Sequence, residues 1–310
     1  MLKTKPFLKW VGGKTQLLEY IVNLFPKKMK NYHELFLGGG SVLLSVLDMI
    51  DDKKIQMEGS IYAYDLNKGL INTYIQIQKK PDKVIENLLK LCEDFKKIEI
   101  NTNKQRGKPK NISELSKLET REHYYYWIRE LYNKTDRSTI DSACYFIFLN
   151  KTCFRGMYRE GSDGNFNIPY GLKDKQMIPS IFSSELIKNV SKKIKDVIFC
   201  HKHFKDTVNN IKTGDFVYMD PPYYPEKENS FVGYTTNGFD IKTHLFLFET
   251  LTLFDNSSIN FVMSNSNTSI VIEACQKYNK KTVIAKRLIN SKKPSSKTKE
   301  IIVWNYMLNL

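Results

Sequence analysis

A chain of 310 residues with 41% hydrophobic content is long enough for one large α/β domain or for one domain carrying an insertion. Lysine and arginine number 48 against 33 acids, a formal charge of +15; this points to a polyanionic partner, with a solvated lysine-rich surface as the competing reading. Five scattered cysteines without a Cys-x-x-Cys pair exclude a disulfide scaffold, and the lack of a long apolar run or signal peptide leaves a soluble cytoplasmic protein as the expectation.

The chain opens on Pro6 to Thr15, which contains Gly12-Gly13-Lys14 and leads into apolar residues at helical spacing, Leu17, Leu18, Ile21 and Val22; a helix is predicted over 16–24. A phosphate loop would need a glycine where Leu8 stands. The Gly-Gly pair ahead of a helix still offers backbone N–H groups near Lys14 to a carboxylate or hydroxyl.

Tyr32-His33-Glu34 reads as a short strand running through Leu35-Phe36-Leu37 into the triple glycine Gly38-Gly39-Gly40 and a helix from Val42. Strand, glycine turn and helix form the first nucleoside-binding unit of a doubly wound sheet. A dinucleotide fingerprint would require glycine at Leu43, so a nucleoside without a pyrophosphate is the better fit. The next strand, Ser60 to Tyr64, ends at Asp65. An acid at that tip is placed for ribose hydroxyls, but it also precedes a helical series and suits a helix N-cap. Both readings stand.

From about residue 75 to 190 the parallel-strand signals give way to polar helices, among them a run from Tyr124 to Tyr132, and to the basic loop Lys104 to Lys110. At the heart of this insert lie Lys151, Phe154, Arg155, Met157 and Arg159, followed by the hairpin signal Gly161 to Asn167. Interleaved basic and aromatic residues beside a turn have the composition of a base-reading surface. The alternative is a solvated loop whose aromatics fold back on the helices.

Strand signals resume at Val197 to Cys200 and at Phe216 to Met219, where the apolar run stops at Asp220-Pro221-Pro222-Tyr223. The prolines stiffen the chain, so that the carboxylate, the Pro221 carbonyl and the Tyr223 ring form one fixed array suited to a planar amine. A plain loop breaker is the competing reading. Residues 225–239 suit a cover over a site, Ile259 to Asn265 a further strand, and the flanks 282–287 and 301–304 bracket a Ser/Lys-rich tip at 290–299 suited to phosphates. His201 and His203 alternate as strand residues do, and no metal site is expected.

Together these stretches resemble the Dam-type DNA adenine-N6 methyltransferases, with motifs in the order of their α class. Phe7 to Lys14 is similar to the family's N-terminal cofactor motif, Glu34 to Ser41 to its glycine motif, and Asp220 to Tyr223 to its catalytic motif. The resemblance implies an α/β fold: a Rossmann-like seven-stranded sheet binding S-adenosylmethionine, with an inserted, mainly α-helical DNA-recognition domain carrying a β-hairpin. The boundaries that follow are 1–74 and 191–310 for the sheet domain and 75–190 for the insert.

By the same resemblance Trp10, Lys14, Asp65 and Asp220 contact the cofactor, Phe36, Gly38 and Gly40 line its methionine side, and Phe204 packs on its adenine. Phe154 inserts into the base stack, Arg159 reads the guanine of a site beginning with GA, and Arg155 stands where GATC readers most commonly carry asparagine. Double-stranded DNA is the implied partner, a cognate restriction endonuclease a further candidate, and the acting species a monomer or weak dimer. Asp220 and the Pro221 carbonyl would accept the two N6 hydrogens of a flipped adenine while Tyr223 clamps its ring. Two alternatives are a nucleic-acid-binding specificity protein on an inactive scaffold and a methyltransferase for RNA adenine or cytosine N4.

Overall fold

Short apolar runs closed by glycine or proline become strands, and runs at helical spacing become helices. The computed structural model describes residues 4–98, 118–171, 182–225, 239–286 and 297–308. In chain order the named elements are α1 (Leu18–Val22), β1 (Lys28–Met29), β2 (Tyr32–Glu34), α2 (Ser41–Asp51), β3 (Gln56–Met57), β4 (Ile61–Asp65), α3 (Lys68–Lys79), α4 (Pro81–Lys97), α5 (Arg121–Lys134), α6 (Ile140–Thr152), α7 (Ser184–Lys193), β5 (Val197–His201), β6 (Phe216–Met219), α8 (Ile241–Asn256), β7 (Asn260–Ser266), α9 (Ser269–Ala274), β8 (Asn279–Lys286) and β9 (Lys297–Trp304).

Two compact units divide the chain. One comprises residues 1–4, 13–66 and 196–310, the other 5–12 and 67–195. The segment carrying Trp10, and the whole of α3, belong to the second unit, whereas the boundary read from the sequence at 74 keeps Trp10 in the first and cuts α3 in two.

The first unit holds a seven-stranded sheet in the order β5-β4-β2-β6-β7-β9-β8. β5, β4, β2, β6 and β7 are parallel, and β9 runs antiparallel between β7 and β8. From β2 the order steps one way through β4 to β5 and the other way through β6 to β7. This is the reversal of a doubly wound, Rossmann-like fold, and ligands bind beyond the strand ends at that point. The seven-stranded α/β sheet expected from the sequence is present. Its central strand β6 is fully buried along its length, as a strand covered on both faces must be. Val217 and Met219 join Phe254, Phe261 and Met263 in the core.

The second unit is built from α3 to α7. Phe95, Tyr124, Phe148, Tyr132 and Tyr125 are buried in it. The expected hairpin is reduced to isolated antiparallel bridges, Cys153 with Tyr170 and Glu160 with Phe166, closed by the Gly161 N–H donating to the Asn165 carbonyl. Glycine-rich sequence makes a tight turn but gives little side-chain surface to extend a ladder. The predicted helix over 16–24 is also shorter than expected. A 3₁₀ turn at Lys14–Gln16 precedes α1, and Leu17 between them leaves the helical region at φ −106°, ψ 1°. The basic loop 104–110, the cover residues 226–238 and the tip residues 290–296 lie outside the described residues. Among the described residues, no helix is long and apolar enough to cross a membrane.

Candidate active site

The site is assembled at the reversal of the sheet. After β2 the chain remains tied to both neighbours, with Leu35 N–H donating to the Tyr218 carbonyl of β6 and Leu37 N–H to the Tyr64 carbonyl of β4. It then turns through Gly38 (φ 49°) and Gly40 (φ 69°), left-handed conformations that a side chain would strain, and enters α2. Asp65, at the tip of β4, accepts the Gly38 N–H at 2.9 Å and so braces the turn. The cap of α3 is Asn67, whose side chain accepts from Leu70 N–H at 2.9 Å. The N-cap reading of Asp65 therefore falls, because the next polar residue performs that task.

Phe36 leaves the same turn to meet Phe204 at 5.2 Å between ring centroids, and Phe239 lies 5.8 Å from Phe204 and 5.9 Å from Phe36. Phe204 itself is buried, as part of the core. Phe36 is the more open of the two rings.

β6 ends in Asp220, with 19% of its side-chain surface exposed, and Lys14 Nζ stands 2.9 Å from its Oδ1. The sequence reading offered the backbone N–H groups near Lys14 to a carboxylate or hydroxyl-bearing ligand. The lysine side chain itself holds the protein's own carboxylate, and the helix that follows, α1, is only five residues long. The ammonium also sits over the Tyr223 ring, 4.7 Å from its centroid, a contact that uses the ring's electron-rich face. Tyr223 is fixed in turn by its hydroxyl, which donates to Glu300 Oε2 of β9 at 2.6 Å. Burial lifts Asp220 to about 6; Lys14 pulls against that rise and Glu300 adds to it. Burial likewise lifts Glu34, at the end of β2, to about 8, opposed by the hydrogen bond from Tyr32 and assisted by the nearby charges of Asp220 and Asp65.

Lys14, Phe36, Gly38, Gly40, Asp65, Phe204, Asp220, Pro221, Pro222 and Tyr223 all belong to the first unit. Trp10 belongs to the second, where its ring stacks on Phe146 at 6.4 Å and on Tyr158 at 6.1 Å. The sequence reading missed Glu300, Asn265 and Ser266, which grip the loop after Asp220 from β9 and β7. The Glu34 side chain went unremarked as well, although it stands within the quoted glycine motif.

The candidates for DNA lie together in the second unit. Phe154 is 44% exposed. Arg155, in the left-handed region at φ 58°, lays its guanidinium over the Phe154 ring at 5.1 Å. Arg159 is exposed, with Nε donating to Asn167 Oδ1 at 2.8 Å. Tyr158 and Phe166 do fold back into the unit's core, ring to ring at 5.4 Å. The two readings of the insert thus divide between residues: the core aromatics turn inward, while Phe154 and the arginines stay open. Lys151 is half-buried and its ammonium is lowered to about 8, by burial first and by Lys9 second. Met157 is half-buried beside Tyr132, Phe146 and Tyr158 around a small cavity.

The chain is 34% identical to the type II methyltransferase M.MjaIII of Methanocaldococcus jannaschii over 98% of this chain and 100% of that one. It is 32% identical to the type II methyltransferase M1.LlaDCHI of Lactococcus lactis subsp. cremoris, covering 98% and 96%. It is 30% identical to the DNA adenine methylase of Serratia marcescens, covering 78% and 75%. A family model described as D12 class N6 adenine-specific DNA methyltransferase matches residues 10–289, a span that contains the glycine turn, the exposed arginines and Asp220 together, and the chain belongs to that family.

Proposed function

We propose that this DNA adenine methyltransferase uses S-adenosylmethionine to methylate N6 of an adenine flipped out of duplex DNA, within a short site containing GA. The observation that carries the reading is Asp220: a carboxylate at the reversal of the sheet, followed at once by two prolines and held by Lys14 against Tyr223.

The residues at the strand ends have the chemistry for the cofactor. The left-handed glycine turn lets a ligand approach the backbone, Asp65 offers a carboxylate at the β4 tip, and Phe36 offers an aromatic face. Asp65, Phe36, Gly38 and Gly40 would hold the nucleoside and methionine parts, with Lys14 and Asp220 beside them. When bound, S-adenosylmethionine supplies an electrophilic methyl group on a positively charged sulfur.

Adenine N6 is a poor nucleophile because its lone pair is delocalised into the ring. In this reading Asp220 and the Pro221 carbonyl each accept one N6 hydrogen, which favours a more tetrahedral nitrogen with its lone pair free to attack. Tyr223 holds the ring face, and the displaced N6 proton leaves by way of the Asp220 carboxylate. Most of the acceleration comes from positioning and aimed acceptors. Extruding the base costs a few kcal/mol of stacking, which insertion of the exposed Phe154 would partly offset. Arg159, bidentate to a guanine, would contribute about 1–3 kcal/mol of discrimination.

The decisive experiment expresses the protein in a host free of DNA methylation and sequences the genome with a readout of modified adenines. N6-methyladenine at one short motif is the expected outcome; modified cytosine, or no modification, overturns the reading. Digestion of the product to nucleosides identifies the atom. Asp220→Ala should lose methyl transfer by about 10²-fold or more while keeping DNA binding, as judged by mobility shift.

A further inference from the structure

The loop after β6 is held by more than its own prolines. β7 grips the main chain of Tyr224 at both polar groups: Asn265 Oδ1 accepts its N–H at 3.1 Å, and Ser266 Oγ donates to its carbonyl at 2.7 Å. Asn265 Oδ1 also accepts the Ser266 N–H at 2.8 Å. β9 grips the preceding residue, because Glu300 takes the Tyr223 hydroxyl. Glu300 lies opposite Ser266 in the antiparallel register, so the two side chains share a face of the sheet. On that face Tyr218 of β6 meets Ser264 of β7 at 3.1 Å.

An acid here is not what packing alone would choose. Lys14, from the turn before α1, touches Asp220 at 2.9 Å, and the titratable groups that interact with it electrostatically are Glu34 from β2, Tyr218 from β6, Tyr223 from the loop and Glu300 from β9. Burial and Lys14 act on the Asp220 carboxylate in opposite directions, and the charge of Glu300 acts on the side of burial. A second acid set against the lysine keeps the pair balanced, and the Tyr223 hydroxyl supplies that acid with a hydrogen-bond donor.

We propose that Glu300 is a positioning residue for methyl transfer: from β9 it fixes the Tyr223 ring, and its charge counters the hold of Lys14 on Asp220. The inference rests on the reading that Asp220 and Tyr223 receive the base. It adds to that reading a residue outside the loop that sets both the angle of the ring and the proton affinity of the acid. The rise of Asp220 to which Glu300 contributes agrees in direction.

The test follows the Asp220 carboxyl in the full chain by carbon NMR with labelled aspartate, Asp220→Asn identifying its signal. Glu300→Gln keeps an acceptor for Tyr223 but removes the charge; Glu300→Ala removes both. In Glu300→Gln the acid dissociation constant of Asp220 should rise about twofold or more, and the acid limb of single-turnover methylation should move to lower pH by the same amount. Glu300→Ala should lose more kcat than Glu300→Gln, at unchanged KM for S-adenosylmethionine. Methylation intact with the same Asp220 midpoint in wild type and Glu300→Gln overturns the proposal alone, as does equal loss of kcat in the two variants. Absence of adenine methylation by the wild-type protein overturns the functional reading, and with it the catalytic part of the proposal.

Discussion

Asp220 and Glu34 sit near each other with opposite demands on their protons. In the proposed chemistry Asp220 accepts hydrogens from an amine and so acts in its ionised form, and burial has raised it to about 6. Single-turnover methylation should therefore climb as pH rises through about 6, and Lys14→Met, which removes the cation holding the carboxylate, should displace that limb to higher pH. Glu34 is different, because it is buried with the Tyr32 hydroxyl donating to it at 2.6 Å and is raised to about 8. The folded protein keeps the Glu34 proton between about 4.5 and about 8, while the unfolded chain releases it. Stability from this residue is thus present at low pH and declines as pH rises across that window. Glu34→Gln should flatten the decline, and thermal melts from pH 5 to 9 compared between variant and wild type would show it.

Elements were legible to the extent that their cause was local. The run Phe216 to Met219 stopping at a proline pair announces β6 and its acid, and a glycine turn after Glu34 announces β2 although that strand spans only Tyr32–Glu34. The grip of β7 and β9 on Tyr223 and Tyr224 was not legible. Glu300 lies among the lysines of β9 and looks like a solvated residue until the fold sets it against a tyrosine from a distant part of the chain. Trp10 and Lys14 share a motif that is continuous in sequence, yet the unit boundary falls between Gly12 and Gly13, which no local signal announced. Close packing between helices was hidden too. A methyl group on Gly69 of α3 would strike the Tyr132 hydroxyl of α5, and Phe146 lies behind it at 3.3 Å. Gly69→Ala should cost about 1–3 kcal/mol by overpacking, readable as a lowered denaturant midpoint.

For the whole molecule, a charge of +15 makes DNA affinity a salt-sensitive quantity. Contact with six to ten phosphates would weaken binding by about 10³–10⁵ between roughly 50 and 200 mM salt. Arg159→Ala should leave most of that slope in place but narrow the gap between cognate and mismatched duplexes, which competition binding at two salt concentrations separates. Residues 32–34 of β2 pair with residues 216–218 of β6, and residues 67–195 of the second unit come between them in the chain. A ribosome releases that whole segment while the strand bearing Asp220 is still unmade. If the proposed roles hold, a nascent or prematurely ended chain would carry Arg155 and Arg159 to DNA before it has Asp220 to act on any base, so translation itself would delay the chemistry until the last third of the polypeptide is being made.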